Sequence, residues 1–145
     1  MSKNILVVYK KNFEDVHDDA LDIVKNTLEK IGEDLDINVN YSAREKVSRE
    51  DFIERDLVVV LGGDGTLTSI AHSVDENTPV MGVNSHPRDM DNDGSYGFYM
   101  GSDPINFKED IQRKFLDEYL KIWRLIYGLC RHLHLCSEMV EVLYL

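Results

Sequence analysis

The sequence predicts an α/β fold, a parallel sheet with flanking helices, from three observations: short apolar runs with strand character, helical periods between them, and a glycine turn that joins one such run directly to a helical stretch. Ile5-Leu6-Val7-Val8-Tyr9 is continuously apolar, as expected of a strand buried on both faces. Val16, Ala20, Ile23, Val24, Leu28 and Ile31 then recur at three- and four-residue steps, a helical period, with Gly32 placed as its C-cap. Ile37, Val39 and Tyr41 alternate with polar residues as a second strand would, and Ser48-Arg49-Glu50-Asp51 resembles a capping box opening a short helix through Ile53. Leu57-Val58-Val59-Val60-Leu61 is too short and too β-branched for a helix. After the glycine turn, Leu67 to Val74 reads as a helix start and Pro79-Val80-Met81-Gly82-Val83 as a fourth strand. Such alternation predicts parallel strands near residues 5–9, 37–41, 57–61 and 79–83, joined by right-handed crossovers into a Rossmann-like sheet. Successive strand C-termini then share one edge, which places Gly62 to Thr66 and Asn84 together. Asn84 to Gly97 reads as a long polar loop, and Pro104 stands where a helix first turn would begin after Ser102 or Asp103.

A chain of 145 residues, 43% hydrophobic, suffices for one buried core. Its 16 Lys+Arg against 27 Asp+Glu give a net charge of −11 without any basic run, which argues against nucleic acid and anionic membranes as partners. Two cysteines, Cys130 and Cys136, make no disulfide framework, and Met1 to Lys11 lacks the apolar core of a signal peptide. With no apolar run of about 18 residues, the expected setting is cytoplasmic. Composition changes after about Arg113: residues 1–113 hold 23 acids and 12 bases, whereas 114–145 hold 4 of each, with eight of the fifteen leucines. In that tail Phe115, Tyr119, Trp123 and Tyr127 suit one helix face, while Ile122, Leu125, Ile126 and Leu129 cover the others. The expectation is an α/β domain over 1–113 and an atypical apolar tail over 114–145, from truncation or a frameshift, that drives homo-oligomer formation.

The chemistry concentrates in Gly62-Gly63-Asp64-Gly65-Thr66. Between a buried strand and a helix, main-chain N–H groups hold phosphate, and glycines let the backbone approach oxygen atoms that a Cβ would exclude. A carboxylate among phosphates is repulsive unless it binds Mg²⁺ or accepts a proton, which makes Asp64 the informative member. Thr66 can cap the helix or donate its hydroxyl to a phosphate, and the bland alternative makes Asp64 itself an N-cap. Three other groups favour ordinary explanations. Asp89, Asp91, Asp93 and Gly94 match an EF-hand opening, yet Met100 stands where the bidentate Glu belongs. Cys130, His132, His134 and Cys136 alternate at a spacing unlike zinc motifs, and His72 is expected to pack on the sheet rather than face phosphates.

At these residues the sequence resembles the NAD kinases, whose signature is a strand followed by Gly-Gly-Asp-Gly-Thr. Lipid kinases of the diacylglycerol and sphingosine type share the turn, but the order Asp56 to Thr66, then Pro79-Val80-Met81-Gly82-Val83-Asn84, then Gly97-Phe98-Tyr99 is similar to NAD kinases over about residues 3 to 112. Between Asn84 and Gly97 the residues Ser85 to Tyr96 intervene, more like the branch that includes the mitochondrial-type enzyme. The resemblance implies transfer of a phosphoryl group from ATP or polyphosphate, with Mg²⁺, to the ribose 2′-hydroxyl of NAD. It makes Asp64 catalytic, and Gly62, Gly63, Gly65, Thr66, Asn84 and Phe98 phosphate- or nucleotide-binding. No P-loop lysine lies near Gly62, so Mg²⁺ and backbone amides are expected to neutralise most of the phosphate charge. The family's C-terminal β-rich domain supplies an Asn-Glu pair and a Gly-Ser-Thr-Ala-Tyr segment, neither of which occurs in these 145 residues. The resemblance therefore implies that this domain is absent or replaced, which leaves a non-catalytic nucleotide-binding module as the alternative function. The other frames after about Ile111 distinguish a frameshifted enzyme from such a module.

Overall fold

Four strands, β1 (Lys3–Tyr9), β2 (Ile37–Ala43), β3 (Leu57–Gly62) and β4 (Val80–Asn84), pair side by side in the order β2-β1-β3-β4, every pair parallel. They belong to a computed structural model that describes residues 2–11, 15–89 and 93–114. The chain divides after Lys108, and both the sheet and the site lie before that division. The two continuous apolar runs became the two central strands: Ile5 to Val8 and Leu57 to Leu61 are all 3% exposed or less. The alternating run became an edge, with Asn38, Asn40 and Tyr41 of β2 open to solvent. Position in a sheet explains this, since a central strand has both faces covered and an edge strand does not.

Each face carries its own helix. Alternation along the strands sends Leu6, Val8, Val58 and Val60 to one side, where they pack with Phe52 and Ile70. Burying side chains of this size stabilises the fold by about 1.5–3 kcal/mol each. The long helix α1 (Asp15–Asp34) buries Ala20, Leu21, Val24, Leu28 and Ile31 and contacts β2 and β3. Gly32 does not cap it. The helix continues to Asp34, and a Cβ on Gly32 would lie 3.3 Å from Cγ1 of Ile37, so this glycine admits the start of β2 close to the last turn.

Three further boundaries differ from the sequence expectation. The capping box at Ser48 forms, but it opens a 3₁₀ turn over Arg49–Phe52: the Ser48 N–H and hydroxyl both donate to Oδ2 of Asp51, at 2.7 and 3.0 Å. Those bonds, the main-chain one foremost, hold the Asp51 carboxyl below its ordinary pKa. The second helix, α2 (Asp64–Ile70), starts inside the glycine turn instead of at Leu67, and a 3₁₀ turn Ala71–Ser73 follows it. Strand β4 starts after Pro79, which has no N–H for the ladder but accepts from Val58 N at 3.0 Å. Beyond β4 the chain returns along the same edge, where Asn84 N–H donates to Ser102 O (2.8 Å) and Ser102 N–H to Gly82 O (3.1 Å). Pro104 opens the next helical turn as expected, closed by Phe107 N–H on Asp103 O at 2.8 Å, and residues 107–114 are helical.

Candidate functional site

The carboxyl edge of the sheet gathers the ends of all four strands. Gly62 pairs with Asn84 in register, which puts the glycine turn beside the loop that follows β4. Arg44 and Lys10 follow β2 and β1, held by Arg44 N–H to Tyr9 O (2.8 Å) and Lys10 N–H to Leu61 O (3.0 Å). A cavity of about 370 Å³ opens on this edge. Gly63 to Thr66 form one wall, and Asn84 to His86 with Asp93 to Ser95 another; Lys10, Arg44 and His17 complete the lining.

Gly63 is the N-cap of α2, its carbonyl receiving Thr66 N–H (2.9 Å) and Leu67 N–H (3.3 Å). Asp64 is therefore the first helical residue, not the cap, and the first N–H groups of the turn have no acceptor within their helix. Thr66 is only 2% exposed and packs against Gly62, where any Cβ would overlap its side chain. A Cβ on Gly65, by contrast, would meet no atom within 4 Å, so the protein interior does not demand glycine there.

Asp64 has a function that its motif did not announce. Its Oδ2 accepts Phe98 N–H at 3.0 Å and its Oδ1 accepts Tyr99 N–H at 2.9 Å, so one carboxylate ties the glycine turn to the Gly97–Tyr99 segment. Asn84 braces the same loop from within: its Nδ2 donates to Ser95 O (2.9 Å) and its Oδ1 accepts His86 N–H (3.3 Å). Gly97, at φ +62°, passes over this amide where a Cβ would collide with Nδ2. The Phe98 side chain is 80% exposed and outside the cavity lining, stacked on Tyr96 at 5.4 Å, so the segment joins the site through its backbone and not through its ring.

Of the residues singled out from sequence, Gly63, Asp64, Gly65, Thr66 and Asn84 line one cavity, while Gly62 lies just behind it in β3. His72 neither packs on the sheet nor reaches the cavity; it is exposed on the 3₁₀ turn after α2. Asp91 and the tail residues 130–136 lie outside the described residues, while Asp89 and Asp93 accept N–H groups of their own loop. Among the described residues no three His, Cys, Asp or Glu converge to hold a metal, and no helix is long and apolar enough to cross a membrane.

Sequence reasoning missed Lys10, Arg44, His17, Ser85 and His86. The first two follow strands, and the gathering of strand ends would have found them. His17 carried no such signal: it is 8% exposed, and its Nδ1 lies 2.7 Å from Ser85 Oγ, a partner 68 residues away. Lys10 and Arg44 add two side-chain cations to a lining where the sequence led us to expect only main-chain amides beside Asp64.

Comparison with known proteins agrees with this fold. The chain is similar to the NADH kinase of Arabidopsis thaliana (53% identical over 32 residues, 22% of this chain and 10% of that protein) and the NAD kinase of Geotalea daltonii (52% over 50 residues, 33% and 16%). It also resembles the NAD kinase of Rhodopirellula baltica, 33% identical over 89 residues, 61% of this chain and 24% of that protein. The matched segments thus span a quarter or less of these relatives. A crystal structure of an NAD kinase from Archaeoglobus fulgidus in complex with ATP superposes with a TM-score of 0.52 at 19% identity, over 76% of this chain and 36% of that one, a likeness of fold. The family model described as the ATP-NAD kinase N-terminal domain matches residues 9–119, well over half of the sequence, and the chain belongs to the NAD kinase family.

Proposed function

We propose that this chain supplies the donor-phosphate half of an NAD kinase site, in which the γ-phosphoryl group of ATP passes to the 2′-hydroxyl of the adenosine ribose of NAD. The observation that carries the proposal is the cavity itself, where glycine-turn amides, two cations and Asp64 meet on one sheet edge. Phosphoryl transfer asks mainly for alignment and charge neutralisation. Gly63, Asp64 and Gly65 offer main-chain N–H groups, with Lys10 and Arg44 beside them. The space where a Gly65 side chain would stand is then left for phosphate oxygens.

Mg²⁺ enters as part of the substrate, carried on the phosphates, where it neutralises charge. Asp64 and Asp93 are the carboxylates of the lining that would hold it, and each Asp64 oxygen keeps a lone pair after accepting one N–H. Asp64 also takes the proton of the 2′-hydroxyl as its oxygen bonds to the γ-phosphorus, the bond to the β-phosphate oxygen breaks, and ADP leaves. The acceptor ribose must be held within about 3.5 Å of that phosphorus, which falls to residues of the family's second half.

A second function, a module that holds phosphates without transferring them, is favoured by the two N–H bonds that Asp64 already accepts, which suit a structural carboxylate. One experiment separates the two. A polypeptide joining residues 1–113 to the β-rich half of a family member is incubated with Mg-ATP and NAD and assayed for NADP. Steady NADP formation supports the kinase; retained ATP binding without NADP supports the module.

A further inference from the structure

Neither His17 nor Ser85 takes part in the transfer proposed above, yet both line the cavity. His17 belongs to the first turn of α1 and Ser85 directly follows β4, and a distance of 2.7 Å from Nδ1 to Oγ joins them across 68 positions. Both are buried, at 8% and 3% exposure. The main chain of Ser85 is pinned on either side: its own N–H donates to Gly62 O at 3.0 Å, and His86 N–H donates to Asn84 Oδ1 at 3.3 Å. Because Gly62 leads into the glycine turn and pairs with Asn84 in register, the Ser85 hydroxyl is held at a fixed place beside the amides of that turn. A hydroxyl donates one hydrogen bond and accepts two. Among the described residues that of Ser85 has His17 as its one partner, which leaves it capacity for a group that enters the cavity.

The bond between them can be built in two ways. If Nδ1 accepts, the only proton of the hydroxyl points at the imidazole and a lone pair is left for the cavity. If Nδ1–H donates, the hydroxyl proton is left for the cavity. The rest of the lining decides between the two, because Lys10, Arg44 and the amides of the glycine turn suit an anion, and a lone pair set among phosphate oxygens is repulsive. The carboxylates of the same lining, Asp64 and Asp93, suit the metal that such an anion carries. We propose that Ser85 is a further binding residue, whose hydroxyl donates to a phosphate oxygen of bound ATP, and that His17 is its positioning residue, turning the hydroxyl toward that oxygen by donating to Oγ from Nδ1. The proposal rests on the donor-phosphate function above. It gives one task to two residues that come from opposite ends of the domain and meet only at the site.

Titration calorimetry of Mg-ATP into the purified 145-residue chain, with circular dichroism as a check on the fold of every variant, tests the pair. Ser85→Ala and His17→Ala are each expected to weaken binding about tenfold, the scale of one hydrogen bond to a charged group. The double variant is expected to bind no worse than Ser85→Ala alone, since His17 acts through the hydroxyl. His17→Asn, whose side-chain amide carries an N–H near the place of Nδ1–H, is expected to restore most of the loss. Nitrogen-15 NMR of the wild-type chain is expected to find the proton on Nδ1 of His17 when Mg-ATP is bound, and it decides alone if Ser85→Ala fails to fold. A folded Ser85→Ala protein that binds Mg-ATP as wild type does, or an Nδ1 without a proton in the bound chain, overturns the proposal and leaves the donor-phosphate function standing. Losses that add in the double variant, or no recovery in His17→Asn, reduce the pair to an anchor between α1 and the loop after β4 and likewise overturn it. A wild-type chain that binds no Mg-ATP removes the donor-phosphate function itself, and the proposal with it.

Discussion

Substitution can separate the base role proposed for Asp64 from its observed structural one. The proposed base needs its charge, whereas the clamp on Phe98 and Tyr99 N–H needs two acceptor oxygens. In a catalytically complete protein, Asp64→Asn is expected to lower kcat by at least about two orders of magnitude, the usual scale for a lost general base. The amide keeps only one acceptor oxygen, so one of those two N–H groups is expected to exchange faster with deuterium. Normal turnover of NAD by the folded variant would leave Asp64 only its structural duty. The neighbouring glycines separate stability from binding in the same way. A Cβ on Gly62 meets the buried Thr66 side chain, so Gly62→Ala is expected to cost about 1–3 kcal/mol in denaturant unfolding through overpacking. Gly65→Ala fills open space in the cavity wall and is expected to leave unfolding nearly unchanged while weakening Mg-ATP binding. Equal unfolding midpoints for the two variants would contradict this division.

Among the elements, the 3₁₀ turn Arg49–Phe52 yields a pH dependence whose sign is fixed. Bonding to Ser48 N–H, and then to its hydroxyl, lowers the Asp51 pKa in the folded chain, so the stability it contributes is present above the unfolded value of about 4 and is lost as pH falls through the lower folded value. Asp51→Ala is therefore expected to melt below wild type at pH 7, with the gap closing as both are titrated toward about pH 2. A gap independent of pH would show that the ionised carboxylate is not what matters. The strands were legible because burial on two faces writes a continuous apolar run, as in Ile5 to Val8, and burial on one face writes an alternation, as in Ile37 to Tyr41. The four parallel strands and the shared edge of Gly62 and Asn84 follow from that patterning and are borne out. The extent of α1 past Gly32 was not legible, because a glycine that admits Ile37 looks the same in sequence as a glycine that ends a helix. His17 and Ser85 were invisible for a related reason: their bond spans 68 positions, and neither residue type is unusual where it stands.

At the scale of the whole molecule, the 145-residue polypeptide assayed as such with Mg-ATP and NAD is expected to form no detectable NADP, since misalignment of the acceptor alone can cost about 7–11 kcal/mol of barrier. Turnover comparable to a complete family member would overturn that expectation. Residues 115–145 lie outside the described structure, but their apolar composition, rich in leucine and holding the single Trp, is expected to drive association. Light scattering of the same sample is expected to report a species larger than one chain, and a clean monomer would count against it. The excursion between β4 and residue 102 has a different kind of consequence. Asn84 N–H on Ser102 O and Asn84 Nδ2 on Ser95 O fasten the base of this loop beside the sheet, whatever its outer reach does. Closing a longer loop costs only about 0.6 kcal/mol per doubling of its length. Lengthening this loop by a residue or two is therefore expected to shift the unfolding midpoint little, because the bonds at its base keep Asn84 in register with Gly62.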